Sequence, residues 1–165
     1  MNRKVWYNIY RGKNMDECIF CKIINNEVPA FKVWEDKDYL AILDRNPNTL
    51  GMTLVMPKKH FDSDVFNLGD REMASFLHAT KKVVKKLERS LSVYRVALVL
   101  EGMGVNHLHA KLYPLHGLGG KFQEIWADNK IYFVEYEGYL STQLGPQMSN
   151  KELELIARKI NSAES

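Results

Sequence analysis

Long apolar runs are missing: nowhere do the 165 residues supply the roughly 18 consecutive apolar residues of a membrane-spanning helix. The first residues, MNRKVWYNIYRGKNM, also lack the apolar stretch of a secretory signal. Cysteine is scarce, with only Cys18 and Cys21, which excludes a disulfide framework of the small secreted type. Neither sign of charge dominates: 23 Lys+Arg against 20 Asp+Glu leave +3, too weak a field to mark a nucleic-acid binder. Repeats, low-complexity tracts and Pro/Gly/Ser linkers are absent as well. The expectation is a cytoplasmic, reducing location with no membrane and no nucleic-acid partner. There a CxxC pair reads as a metal or redox motif rather than a structural bridge.

What is present suits one globular domain. The 45% hydrophobic content is enough to bury a core at this length. Residues 1–15 are basic and aromatic without period and read as a poorly ordered extension, with Met15 an alternative start. The core domain is expected over 16–116. A short helix is predicted from Cys18 to Asn25 with Asp16 as cap, ended by Pro29. Strands follow at Phe31 to Glu35, Tyr39 to Asp44 and Met52 to Met56. From Gly69 to Ser90, Met73, Phe76, Leu77, Val83, Val84 and Leu87 recur at helical spacing, with Lys81, Lys82, Lys85 and Lys86 assigned to a solvated face. Tyr94 to Leu100 is the next strand, and Glu101-Gly-Met-Gly104 a tight turn into another. Residues 117–165 read as loop, a strand or irregular piece over Ile131 to Tyr136, and a helix from Asn150 to Ile160 capped by Asn150, packed on or near the core. Antiparallel strands with one long helix inserted and one at the end make an α+β fold.

The chemistry concentrates in GVNHLHAKLYP, residues 104–114. On a strand, His107, His109 and Lys111 share one face and Leu108, Ala110 and Leu112 the other. Three ionisable groups buried together need an anion or a metal to compensate them. Elsewhere His78 reads as a solvent or packing residue of the helix, and His116 as a polar loop residue rather than one lining the mouth of the site.

With CIFCKIINNEVPA (18–30), WEDKDYLAILDRNP (34–47) and GMTLVMPKKH (51–60) preceding it in order, this stretch resembles the histidine triad superfamily, from about Cys18 to Tyr113. The resemblance implies a five-stranded antiparallel sheet with a long helix between the third and fourth strands, and a homodimer. It implies that His109 is the nucleophile that attacks the α-phosphorus of a nucleotide, its tautomer fixed by the main-chain carbonyl of His107. It also implies a structural zinc held by Cys18, Cys21, His60 and His107, a ligand set whose spacing suits tetrahedral coordination.

Two departures stand out. Lys111 occupies the position of the third signature histidine, where it can meet growing negative charge or give a proton, or else simply extend to solvent. The Glu101–Gly104 turn replaces a longer phosphate-binding loop, so main-chain N–H groups of Gly102 and Gly104 are expected to serve the phosphate. Glu101 would oppose an anion there unless its carboxylate turns away. By resemblance Phe20, Ile42 and Leu43 grip the base, and Asp44 accepts from the ribose hydroxyls, a role compatible with capping its own turn. The functional expectation is a nucleotide hydrolase or nucleotidyltransferase working through nucleotidyl-His109. The alternative is a nucleotide-binding protein without turnover, and a CxxC redox protein is disfavoured because no βαβ unit carries the pair.

Overall fold

The computed structural model describes residues 18–122, 124–125 and 147–162. The expected extension 1–15, the Asp16 cap and the strand at Ile131 to Tyr136 lie outside them. Helix α1 (Ile19–Ile24) begins on Cys18, whose extended backbone takes the cap position, and buries Phe20 and Ile23. Asn26 leaves it with φ +61, a left-handed turn that asparagine tolerates better than most residues.

Strands β1 (Lys32–Glu35) and β2 (Tyr39–Leu43) form a hairpin. Its turn is closed by the Asp36 carboxylate, which accepts from the N–H groups of Asp38 (2.9 Å) and Tyr39 (2.8 Å). Strand β3 (Thr53–Pro57) is buried throughout and occupies the centre of the sheet. Helix α2 (Asp70–Leu91), β4 (Val96–Val99) and β5 (Ala110–Pro114) follow, giving a five-stranded antiparallel sheet in the order β1-β2-β3-β5-β4.

The period-two alternation of the strands separates two faces. Ala41, Leu43, Val55, Leu108, Ala110 and Leu112 pack with Phe76, Val83 and Leu87 of α2 in the main core. Leu40, Ile42, Leu54 and Met56 point the other way and pack with Cys18, Phe20 and Ile23 around α1. Helix α3 (Asn150–Ser162) joins α2 on the main core, burying Leu153, Ala157 and Ile160.

Four details correct the reading of the sequence. Lys86 is buried rather than part of a solvated face, because it shares the helical stripe of Val83, Leu87 and Ser90, whereas Leu77 is 40% exposed. The cap of α3 is Ser149, not Asn150: its hydroxyl accepts from Glu152 N–H and the Glu152 carboxylate accepts from Ser149 N–H, a reciprocal box. The connection between β4 and β5 is a loop over 100–109 rather than a tight turn. Consequently His107 and His109 precede the regular strand, and only Lys111 lies within it.

Candidate active site and metal centre

The 100–109 loop is laid down on the segment that follows β3. Leu108 N–H donates to the Phe61 carbonyl at 3.0 Å, and Ser63 N–H donates to the Asn106 side chain at 3.1 Å. Gly102 sits at φ +72, where an added Cβ would lie 2.7 Å from the Ser63 carbonyl oxygen. Only glycine fits both the dihedral and the contact. These ties preserve the strand-like alternation outside the ladder: Leu108 joins the main core, while His107 and His109 face the α1 side, 0% and 4% exposed.

On that side Cys18, Cys21, His60 and His107 converge, with all four donor atoms within 4.8 Å of one another. Cys21 Sγ is 3.2 Å from His60 Nδ1, and His107 Nδ1 is 3.5 Å from both sulfurs. Tetrahedral zinc, with bonds of about 2.3 Å to sulfur and 2.0 Å to nitrogen, sets neighbouring donors roughly 3.3–3.8 Å apart. The donor set therefore fits. The ring of His107 is already oriented, since its Nε2–H donates to the Pro57 carbonyl at 2.9 Å, which leaves the Nδ1 lone pair toward the sulfurs. Burial pushes the His107 imidazole down to about 4, so it stays neutral and able to ligate. Burial, then the neighbouring Cys18, pushes the Cys21 thiol up to about 11, a cluster that holds thiolates only around a cation. Both cysteines are free thiols.

His109 lies two residues beyond His107 of this centre. Its Nδ1–H donates to the His107 carbonyl at 2.7 Å, which leaves Nε2 as the nucleophilic lone pair. Phe20 meets its ring edge-on at 5.2 Å. Burial holds the imidazole below its ordinary range. The bond to His107 works against this, Lys111 adds to it, and Glu101 and Asp44 oppose it. A neutral imidazole at neutral pH is the form that attacks phosphorus.

Lys111 is not extended into solvent. Its ammonium pairs with Glu101 at 2.9 Å, the two side chains 12% and 14% exposed. Thus the Glu101 carboxylate turns toward the site instead of away. The β4–β5 register sets Val99 opposite Lys111, so Glu101, two residues beyond Val99, emerges beside it.

Of the remaining expected residues, Phe20, Ile42 and Asp44 come together on the histidine side. Leu43 does not, because it follows Ile42 on a strand and therefore packs into the main core beneath α2. Asp44 is 8% exposed and accepts from Asn46 N–H at 2.8 Å, so it closes its turn while facing the site. Gly104, at φ +93, has open space around it, whereas Gly102 is packed on Ser63. His78 is exposed, and the exposed His116 donates to the Leu50 carbonyl at 2.9 Å. A cleft of about 890 Å³ opens beside Thr49, Tyr94, Tyr113 and His116. None of His107, His109 and Lys111 lines it, so the convergence of titratable groups, not cleft size, locates the site. Reasoning from the sequence missed the Pro57 carbonyl and the Glu101–Lys111 pair. Strand register could have indicated the second, but nothing local indicates the first.

The HIT domain family matches residues 25–118. An uncharacterized HIT-like protein of Methanocaldococcus jannaschii is 40% identical over 115 residues, 66% of this chain and 88% of that protein. An adenosine 5'-monophosphoramidase of Schizosaccharomyces pombe is 34% identical over 107 residues, 62% of this chain and 80% of its own. Among solved structures, a hypothetical histidine triad nucleotide-binding protein from Sulfolobus tokodaii superposes with a TM-score of 0.67 at 26% identity, covering 88% of this chain and 91% of that one. No helix among the described residues is long and apolar enough to cross a membrane. With the sheet, the helix between β3 and β4, and the histidines in their places, the chain belongs to the HIT domain family.

Proposed function

We propose that this protein is a nucleotide hydrolase or nucleotidyltransferase that acts at the α-phosphorus of a nucleoside phosphoramidate, dinucleoside polyphosphate or related nucleotide. The observation that carries the reading is the state of His109: buried, held neutral, and tied through Nδ1 so that Nε2 is left to attack. Nε2 forms the N–P bond as the bond from phosphorus to the leaving atom breaks, and the electron pair departs with the leaving group. Lys111 meets that charge and supplies the proton. Water, or another acceptor, then displaces His109 from phosphorus and returns a proton to Lys111. Phe20 and Ile42 offer apolar surface to the base, with Leu43 supporting the strand from behind. Asp44 accepts from the ribose, and the main chain at Gly102 and Gly104 lies on the phosphate side. The name of the Schizosaccharomyces pombe relative supports a P–N bond among the substrates.

Cys18, Cys21, His60 and His107 would hold a structural zinc, which when bound stabilises the thiolates and braces the loop that carries His109. A reducing compartment such as the cytoplasm suits those thiols. Strand β4 is the edge of the sheet and pairs among the described residues only with β5, while Leu98 is 42% exposed. That edge is the surface on which we place a homodimer.

A nucleotide-binding protein without turnover is the second reading, favoured by the loss of the third histidine. Incubation with nucleotide phosphoramidates and dinucleoside polyphosphates, followed by mass spectrometry of the quenched protein, separates the two. Nucleotidyl-His109 supports the enzyme, and nucleotide binding without adduct or product supports the binder.

A further inference from the structure

We propose that Glu101 is a positioning residue that selects the leaving group: by pairing with Lys111 it brings the charge on the leaving-group side of His109 to zero and disfavours leaving groups that carry negative charge. The inference rests on the reading of His109 as nucleophile. Alone, Lys111 would present an unpaired cation to the departing atom and attract a polyanion such as a second phosphate. Glu101 cancels that attraction at 2.9 Å, in a place where both side chains are largely withdrawn from water. An anionic leaving group therefore finds no net positive charge at this pair to offset the loss of its hydration, whereas a neutral amine or alcohol needs none.

The placement is rigid. Glu101 is held between the end of β4, where Val99 faces Lys111, and Gly102, whose φ of +72 and contact with Ser63 fix the turn. As the P–X bond breaks, the electron pair leaves on X and Lys111 passes X a proton. Glu101 then faces an uncharged amine and stabilises the ammonium again once the proton of the attacking water returns. The substrates this arrangement fits are nucleoside monophosphate derivatives with a neutral amine or alcohol as leaving group.

The test compares kcat/KM for two substrates of one nucleotide, a phosphoramidate with a neutral amine and a dinucleoside polyphosphate, in the zinc-loaded full chain and in Glu101→Gln and Glu101→Asp. Wild type is expected to prefer the phosphoramidate. Glu101→Gln should shift the ratio toward the polyphosphate by roughly tenfold or more, the scale of one charge a few ångströms away at the protein surface. Glu101→Asp should keep the wild-type ratio. Glu101→Ala, which removes the same carboxylate and leaves Lys111 in place, should move the ratio in the same direction as Glu101→Gln, and this reads the effect if Glu101→Gln does not fold. A ratio unmoved by Glu101→Gln, or a wild type that prefers the polyphosphate, overturns the selection by Glu101 while adduct formation keeps His109 as nucleophile. Absence of any nucleotidyl adduct with both substrates overturns the reading of His109 and this inference with it.

Discussion

The Nδ1–H of His109 donates to the main-chain carbonyl of His107 at 2.7 Å, so the residue proposed to attack phosphorus is oriented by a residue of the cysteine–histidine cluster. Because the ring of His107 is itself held by Pro57 and faces both sulfurs, displacement of the cluster displaces the nucleophile. With zinc in the cluster and His109 as nucleophile, as proposed, this linkage would make metal content, acid stability and turnover interdependent.

His109→Ala should remove the nucleotidyl adduct and lower turnover by about a thousandfold or more, because the two-step route disappears rather than slowing. Equal labelling of wild type and variant by a nucleotide radiolabelled at the α-phosphorus would show that another group attacks.

Purified under reducing conditions without chelator, the protein should carry about one zinc per chain, as a closed four-donor site requires. Stripping the metal, or Cys21→Ser, should lower the melting temperature by about 10 °C or more, since the ligand free energy is also folding free energy. Melting curves that coincide with and without chelator would remove the staple.

Stability should fall on acidification through His107. Its imidazole titrates at about 4 in the fold against 6.5 ordinarily, with burial as the main cause, so below 6.5 the unfolded chain binds the extra proton. Nothing is lost above pH 6.5, and the loss grows as pH falls toward 4, reaching on the order of 3 kcal/mol. Protons also compete with a metal for Nδ1, in the same direction. Urea midpoints that stay level between pH 7.5 and 5 would contradict this.

Gly102→Ala should destabilise the fold by about 2 kcal/mol or more, through the left-handed dihedral and the approach to the Ser63 carbonyl. Turnover should drop with it because Glu101 and the loop move together. Chemical denaturation gives the first quantity, and an unchanged midpoint would mean that the turn relaxes freely.

Asp44→Asn should raise KM about tenfold or more, as expected for replacing a charged acceptor of the ribose hydroxyls, with little change in melting temperature because the amide oxygen can still accept from Asn46 N–H. Leu43→Ala should do the reverse, costing about 2–5 kcal/mol of stability and leaving KM near wild type. A Leu43→Ala protein of normal stability and poor nucleotide affinity would return Leu43 to the base pocket.

Much of this protein was determined by local pattern. The alternation in Leu108-His109-Ala110-Lys111-Leu112 assigns each side chain to a face wherever the backbone is extended, inside a ladder or just before one. The helical period of Phe76, Val83 and Leu87 places α2 on the core, and the same period, three residues on from Val83, accounts for the burial of Lys86. The opposite faces of Ile42 and Leu43 were legible in the same way. The histidine spacing and CxxC pair mark the site because few other arrangements place so many titratable groups together.

Tertiary structure alone decided how those groups meet. The Pro57 carbonyl reaches His107 across 50 positions of sequence, and no local signal encodes such a contact. The direction of the Glu101 carboxylate depended on the register of β4 against β5 and on the turn that Gly102 makes over Ser63, both set by packing between segments far apart in the chain. Charge at Lys111 could be read from the sequence. Its compensation could not, because a charged side chain takes its partner from the neighbours that the fold supplies.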